Sequence, residues 1–322
     1  MPMIETINLT KRYGELVALD SLNLTIDEGV CYGFIGPNGA GKTTTIKILA
    51  TLLKPSSGQA NVAGRTVGHQ NREIRPLIGY VPDFMGAYED MVVQEYLEFF
   101  ASAYNIAGDR RRKVVADVLD LTDLSYKATA EVNGLSRGMQ QRLSIARVLL
   151  HDPKVLLMDE PASGLDPRAR IEIRELLKEL RRMGKTILIS SHILHELAEL
   201  CNQVGIIERG KLLFSGDVAE ILRRARVGRV FHLAVMDRTR EAADALAKVP
   251  GVSKIAVKAA EEGREAGADG KFLEVTFDDD APTSPSDMPS VLINNGYRLV
   301  TFGEEPVNLE TAFMRLTKGI VQ

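Results

Sequence analysis

Cysteine is almost missing from this chain. Cys31 and Cys201 are the only two in 322 residues, too few for a disulfide framework and in keeping with a reducing compartment. Long apolar runs are missing as well. None approaches the ~18 residues of a membrane span, and Met1–Arg12 contains no apolar signal-peptide core. Charge excess is the third absence. Lys and Arg number 40 against 43 Asp and Glu, a net of −3, so the signature of a polyanion-binding chain is lacking. Residues 217–322 carry 14 basic and 17 acidic side chains, and the remainder carries 26 of each. Neither part is an electrostatic trap for nucleic acid. There is no heptad run and no short-period repeat. These absences predict a soluble, cytosolic protein that binds no nucleic acid and meets a membrane only through a partner.

What is present is ordinary globular material, with 45% hydrophobic and 26% charged residues. At ~150 residues per domain the length predicts about two domains. Alternating runs at Ile4–Leu9 and Leu22–Ile26 read as strands. An apolar strand, Val30–Ile35, leads through a glycine cluster to a helix at about Lys42–Leu53, broken by Pro55-Ser56-Ser57-Gly58. A strand pair surrounds Gly64, and Ile78–Val81 is a further strand. Asp90–Asn105 and Arg110–Leu121 read as helices with little strand between them, a helical insert over about 86–135. Gln140–Leu150 is another helix. Val155–Met158 and Thr186–Ser190 have the continuous apolar character of buried parallel strands. Ile173, Leu176, Leu177 and Leu180 place an apolar stripe on a helix over Arg168–Met183. Helix Ile193–Cys201 and strand Val204–Glu208 follow. Strands alternating with helices argue for a doubly wound α/β core.

After about Asp217 the pattern changes. A linker helix over 217–228 precedes strand Arg229–Val235, helix Thr239–Val249, strands Val252–Lys258 and Lys271–Phe277, helix Asp287–Asn295 and strand Tyr297–Phe302. That βαββαβ order matches a ferredoxin-like α+β domain. Polar loops interrupt it at Ala260–Gly270 and Asp278–Ser286. A last amphipathic helix is predicted over Asn308–Lys318. No metal-ligand or small-molecule motif stands out in this part.

The chemistry lies in the first part. Gly36-Pro37-Asn38-Gly39-Ala40-Gly41-Lys42-Thr43 fits G-x-x-x-x-G-K-[ST] between a predicted strand and a predicted helix, the context that gives the motif meaning. Glycines let backbone N–H groups curl around phosphate oxygens, and the helix N-terminus adds positive partial charge. Lys42 is placed to bridge β- and γ-phosphates, and the Thr43 hydroxyl to ligate Mg²⁺. Val155-Leu156-Leu157-Met158-Asp159-Glu160 is a buried strand ending in two carboxylates at the sheet edge where ligands of open α/β sheets bind. Asp159 is expected in the Mg²⁺ shell. Glu160 is expected to polarise the attacking water.

Further motifs make a family recognisable. Leu135-Ser136-Arg137-Gly138-Met139-Gln140-Gln141-Arg142 resembles the signature motif of ATP-binding cassette (ABC) ATPases. Ser163-Gly164-Leu165-Asp166 resembles their D-loop, His192 their switch histidine, and Tyr13, 23 residues before Gly36, their adenine-stacking aromatic. The resemblance covers about residues 3–216. It implies a P-loop (RecA-like) core with an N-terminal antiparallel β subdomain and the helical insert, followed by a C-terminal accessory domain over 229–322. It implies ATP and Mg²⁺ as ligands, with Gly36, Pro37, Asn38, Gly39, Ala40, Gly41, Lys42, Thr43 and Thr44 around the phosphates. It implies a head-to-tail dimer with a second ATPase subunit, in which Ser136 and Gly138 serve the partner's γ-phosphate, and it counts Asp166 of the D-loop among the nucleotide-binding residues. Glu160 is then the general base and His192 a bridge between γ-phosphate and D-loop.

Plainer roles stay open beside these. Tyr13 could pack in the N-terminal sheet, His192 could start a helix, and Ser136 could serve as an N-cap. Arg110-Arg111-Arg112-Lys113 reads as a solvated helix start. Two departures stand out. Asp83 occupies the place of the family's usual Q-loop Gln, with a shorter arm toward Mg²⁺ or water. Arg137 and Met139 alter the usual Leu-Ser-Gly-Gly-Gln. Three classes of ABC protein compete: membrane-exporter motors, soluble proteins acting on ribosomes or DNA, and accessory ATPases of cofactor assembly. One phosphate loop per chain and the lack of a heptad run weaken the ribosome and DNA classes, whereas Phe34–Thr45, Leu135–Met139, the appended domain and the tail Asn308–Thr317 resemble drug- and polysaccharide-exporter subunits. That resemblance implies a separate permease whose cytoplasmic helix docks near Asp83–Glu89 and Tyr96, holding this chain on the inner face of the cell membrane.

Overall fold

The computed structural model describes residues 2–83, 91–192, 197, 199–220, 229–259, 267–278 and 281–305. Alternation at the N-terminus folds as an antiparallel pair, β1 (Pro2–Tyr13) and β2 (Leu16–Asp27). The apolar run that follows is β3 (Cys31–Ile35), which leads into α1 (Lys42–Leu49). Next come β4 (Ser57–Val62), β5 (Arg65–Thr66), the short α2 (Asn71–Ile74) and β6 (Ile78–Val81). Three helices follow, α3 (Val93–Ala103), α4 (Gly108–Leu121) and α5 (Arg137–Leu149). The chain then alternates through β7 (Val155–Asp159), α6 (Pro167–Arg182), β8 (Thr186–Ser191), β9 (Gln203–Glu208) and β10 (Lys211–Asp217). By compactness the chain divides into two units, residues 1–220 and 221–322.

Two sheets build the first unit. One is antiparallel, in the order β2-β1-β4-β5. The other runs β10-β9-β3-β8-β7-β6, with β9, β3, β8, β7 and β6 parallel and β10 antiparallel at the edge. Every residue of β3, β7 and β8 is buried, as expected of strands covered on both faces. One apolar core joins Ile4, Leu22 and Ile26 of the first sheet, Ile46, Ile48 and Leu49 of α1, and Phe34, Leu157 and Leu188 of the second. Burying each such side chain contributes about 1.5–3 kcal/mol. This packing fixes the start of α1 against the carboxyl ends of β3, β7 and β8.

Several boundaries differ from expectation for local reasons. Helix α1 stops at Leu49, and Thr51 has φ +62°, a left-handed break that the apolar Leu52-Leu53 run conceals. Helix α5 begins three residues before the predicted Gln140 because Ser136 caps it. Strand β10 was not predicted at all. It returns against β9 through Arg209-Gly210, both at positive φ (+48° and +77°), the conformation of a tight type I′ hairpin turn. Its register slips between Leu212 and Phe214, which blurs the alternation that would have revealed it. Tyr96 is fully buried and its Oη accepts from Arg147 Nη1 at 3.1 Å. It therefore cannot be part of an accessible permease-docking groove, as the sequence had suggested. Arg142, also buried, donates Nη1 to the carbonyls of Thr122 (3.1 Å) and Asp123 (3.0 Å) and pairs through Nη2 with Glu172 of α6 at 3.5 Å. That staple fixes the helical layer against α6.

The second unit follows the βαββαβ order: β11 (Arg229–Val235), α7 (Thr239–Leu246), β12 (Val252–Ala259), β13 (Lys271–Phe277), α8 (Asp287–Asn294) and β14 (Leu299–Glu304). Its sheet is fully antiparallel in the order β12-β13-β11-β14, the ferredoxin-like arrangement. Phe231, Leu233 and Val235 face a core closed by Leu246, Met288 and Leu292 of the helices. The helix predicted over 308–318, most of the linker helix (221–228), residues 193–196 of the helix after β8, and the stretch 84–89 of the proposed groove lie outside the described residues. Asp217 itself belongs to β10.

Candidate active site

The loop between β3 and α1 is shaped by what its glycines exclude. A Cβ on Gly36 would lie 2.2 Å from the Ile207 carbonyl oxygen. Gly41 is the N-cap of α1 at φ +110°, where a Cβ would come 2.7 Å from the Ala18 carbonyl oxygen. No side chain caps α1, so its first N–H groups face the loop, a ready anion site. The hairpin glycine braces the loop from behind: Gly210 N donates to Ala40 O at 2.9 Å, and Asp20 N to Gly210 O at 3.0 Å.

The reactive side chains converge at the carboxyl edge of the parallel sheet. Lys42 is 5% exposed. Its Nζ donates to Gly36 O at 2.7 Å and Pro37 O at 3.2 Å, and lies 3.4 Å from Glu160 Oε1. Thr43 Oγ1 donates to Asp159 Oδ1 at 3.0 Å, and Ser190 Oγ donates to the same oxygen at 2.7 Å. Ser190 Oγ also accepts from Glu160 N at 3.0 Å. His192 Nδ1 sits 2.6 Å from Glu160 Oε2. Glu160 has φ +48°, an uncommon conformation for a residue with a side chain. It turns the carboxylate away from the strand and toward Lys42 and His192.

Asn38, Thr43, Asp83, Asp159, Glu160 and His192 line one open cavity of about 550 Å³, together with Lys47, Tyr80, Pro82 and Ser163. Asp83 thus reaches the site despite its short arm. Burial, then the Asp159 and Asp83 carboxylates, push the Tyr80 hydroxyl up to about 12, so it stays a neutral donor. Thr43, Asp159 and Asp83 offer the hard oxygen donors that suit Mg²⁺. Thr44 is half-buried on α1 behind Thr43.

Tyr13, Ser136, Gly138 and Asp166 are not among the residues that line this cavity. The Tyr13 ring is 48% exposed, with Lys11 Nζ 5.0 Å from its centroid, so it is not packed into the sheet. Ser136 Oγ accepts from Met139 N at 3.3 Å as the N-cap of α5. Asp166 Oδ1 accepts from Ala169 N at 3.0 Å and caps α6. A Cβ on Gly138 would meet Ala169 Cβ at 2.7 Å, so this glycine lets α5 and α6 approach. Arg137 lies along the D-loop: a Cβ on Gly164 would sit 2.4 Å from its Nη1. Sequence reasoning missed Ser190, Lys47 and Tyr80, whereas Ser163 entered as part of the D-loop motif. Ser190 alone carried a signal, as a hydroxyl closing an apolar strand at the ligand edge.

Comparison with known proteins decides the family. The ABC transporter family profile matches residues 19–163. The Nod factor export ATP-binding protein I of Burkholderia orbicola is 41% identical over 66% of this chain and 70% of its own length. The chain belongs to the ABC transporter ATP-binding proteins. The same-named protein of Ralstonia nicotianae is 40% identical over 69% of each chain. Among solved structures, a dimeric post-hydrolysis ATP-binding cassette bound to ADP and Pi covers 67% of this chain and 99% of its own, at TM-score 0.60 and 29% identity. The cbiO1 protein of Clostridium perfringens, part of the ABC transporter complex cbiONQ, covers 70% and 95%, at TM-score 0.62 and 28% identity. This ABC protein binds ATP and hydrolyses it. Among its described residues no helix is long and apolar enough to cross a membrane.

Proposed function

We propose that this chain is the motor of an exporter, bound to the inner face of the cell membrane through a separate permease. The convergence of Thr43, Asp159, Glu160 and His192 on one cavity, with Lys42 3.4 Å from Glu160, carries the reading, and the relatives named for Nod factor export give its direction. Lys42 leaves the carbonyls of Gly36 and Pro37 for the β- and γ-phosphates, where the amides of Gly39–Thr44 supply further donors. Thr43, Asp159 and Asp83 hold Mg²⁺, which neutralises phosphate charge when bound. Glu160 accepts the proton of the attacking water, and His192, 2.6 Å from it, keeps that carboxylate aimed. Phosphoryl transfer needs chiefly positioning and charge neutralisation, and this cluster offers both.

Ser136 and Gly138 stand outside the cavity of their own chain. That supports a head-to-tail dimer in which they close on the partner's γ-phosphate, with Asp166 in the shared interface and Tyr13 against the adenine. Residues 1–217 form the ATPase domain in this reading, 218–228 a linker, and 229–322 an accessory module that stabilises or regulates the dimer. The permease docks near Asp83–Glu89. Glu160→Gln removes the base and leaves the binding groups intact. It should trap an ATP-bound dimer on size exclusion and lower turnover about 10²–10⁴-fold. Turnover at the wild-type rate refutes the assignment of Glu160, and co-purification of ribosomes in place of a membrane protein refutes the exporter reading.

A further inference from the structure

The second unit brings together three side chains that no sequence motif joins. His232 on β11 pairs directly across from Glu274 on β13. On the other flank it faces Gly303 of β14, where a side chain would meet nothing within 4 Å among the described residues. Just beyond, Glu305 is anchored by its N–H to Val230 O at 2.7 Å and sends its carboxylate back toward the same imidazole. One ligand atom from each of His232, Glu274 and Glu305 lies within 4.8 Å of the others, and all three residues are half-buried.

Distances separate the possible readings. His232 Nε2 is shielded from solvent and has no hydrogen-bond partner among the described residues. It lies 3.6 Å from Glu274 Oε2 and 3.9 Å from Glu305 Oε2, too far for a hydrogen bond. A tetrahedral ion with arms of about 2.0–2.1 Å sets its ligand atoms about 3.3–3.4 Å apart. The gap around Nε2 is therefore close to that needed for an ion between the three atoms. The ring is already oriented, edge-on to Phe272 at 5.2 Å and 81°. Two carboxylates and a neutral imidazole give a donor set of charge −2, matched to a divalent ion, and the space beside Gly303 leaves a position for water. Lys258 Nζ, at 2.5 Å from Glu274 Oε2, is the competing cation. Its side chain is 48% exposed and can swing away.

We propose that His232, Glu274 and Glu305 form a binding site for one zinc ion in the C-terminal unit. An imidazole with two carboxylates and an open fourth position is a donor set zinc accepts. The ion would tie β11, β13 and the end of β14 together, and it is separate from the ATP-site donors.

The test uses the full chain carrying Asp159→Asn, which removes one carboxylate from the oxygen donors of the ATP site, so that uptake remaining there is told apart by its indifference to His232→Ala. After chelator treatment, zinc chloride is titrated in by calorimetry, and Co²⁺ is added as a spectroscopic probe. One Zn²⁺ per chain and a Co²⁺ visible band are expected, both lost in His232→Ala. Glu305→Gln, a conservative change at a strand end, should weaken Zn²⁺ at least about tenfold, the smaller loss seen for outer-sphere partners. Lys258→Ala should tighten it, since a competing charge is gone. A merely structural ion-pair cluster predicts none of these. Zinc stoichiometry unchanged by His232→Ala, no uptake at all, or weaker binding in Lys258→Ala would each overturn the proposal.

Discussion

Gly41→Ala tests whether the phosphate loop is held by crowding as well as by conformation. Gly41 sits at φ +110°. An L-residue at positive φ costs about 1–2 kcal/mol. The new Cβ would also lie 2.7 Å from the Ala18 carbonyl oxygen and from Leu19 Cδ2. Ordinary contact begins near 3.4 Å, so about 0.7 Å must be found by moving the backbone of β2 or the loop itself. Overpacking of that kind costs a further ~1–3 kcal/mol, for a total of about 2–5 kcal/mol. Gly39→Ala is the control. Its φ is +80°, but among the described residues nothing lies within 4 Å of its Cβ position, so only the conformational ~1–2 kcal/mol applies. In nucleotide-free melting, with about 2–4 °C per kcal/mol for a unit of this size, the overpacking difference should make Gly41→Ala melt roughly 2–12 °C below Gly39→Ala. Steady-state ATPase should fall as well, because a displacement near 1 Å at a reacting site can cost about 10²-fold. Equal melting temperatures for the two variants would show that the contact with Ala18 does not constrain the loop.

Other expectations follow from the same geometry. Ser190→Ala removes the donor to Asp159 Oδ1 and one acceptor of Glu160 N. Stability should fall by about 1–3 kcal/mol and kcat should drop more than KM rises; an unchanged kcat refutes the positioning role. His151 is held neutral by burial, which lowers its pKa against the rise from the Ile78 carbonyl bond and Asp152. The unfolded chain then binds the extra proton, so stability should be lost as pH falls below about 6.5. A plot of melting temperature against pH between 7.5 and 5.5 should be flatter in His151→Gln, and parallel slopes argue against this.

Chemistry was more legible in the sequence than boundaries were. The phosphate loop, Asp159, Glu160 and His192 could be read because each lies at the end of a strongly apolar strand, and strand ends share one edge of a parallel sheet. Asp83 could be placed by position though not by residue type. Strand β10 escaped notice because its bulge scrambles the period of two and its turn is Arg-Gly, not Asn-Gly. Helix α1 read too long because Leu52 and Leu53 continue its apolar pattern past a backbone break at Thr51. Tyr96 looked available in the sequence, yet Arg147 on another helix satisfies its hydroxyl inside the core. The local duties of Ser136, Gly138 and Asp166, two caps and a close helix approach, are independent of any role across a dimer. The grouping of His232 with Glu274 and Glu305 was invisible because only sheet register brings them side by side.

The hairpin turn at Arg209-Gly210 has a consequence for the order of assembly. Strand β3 has as its neighbours β8 and β9, both made more than 150 residues after it. The loop that follows β3 is backed by Ile207 and hydrogen-bonded to Gly210. Its walls are thus among the last parts of the first unit to leave the ribosome. Contacts this distant in sequence pay their loop-closure entropy before they gain stability. A nascent chain halted before residue 203 carries the complete phosphate-binding motif and should still fail to hold nucleotide. Emergence of β9 and β10 should switch that capacity on, so the ATP site also reports that synthesis of the whole unit is complete.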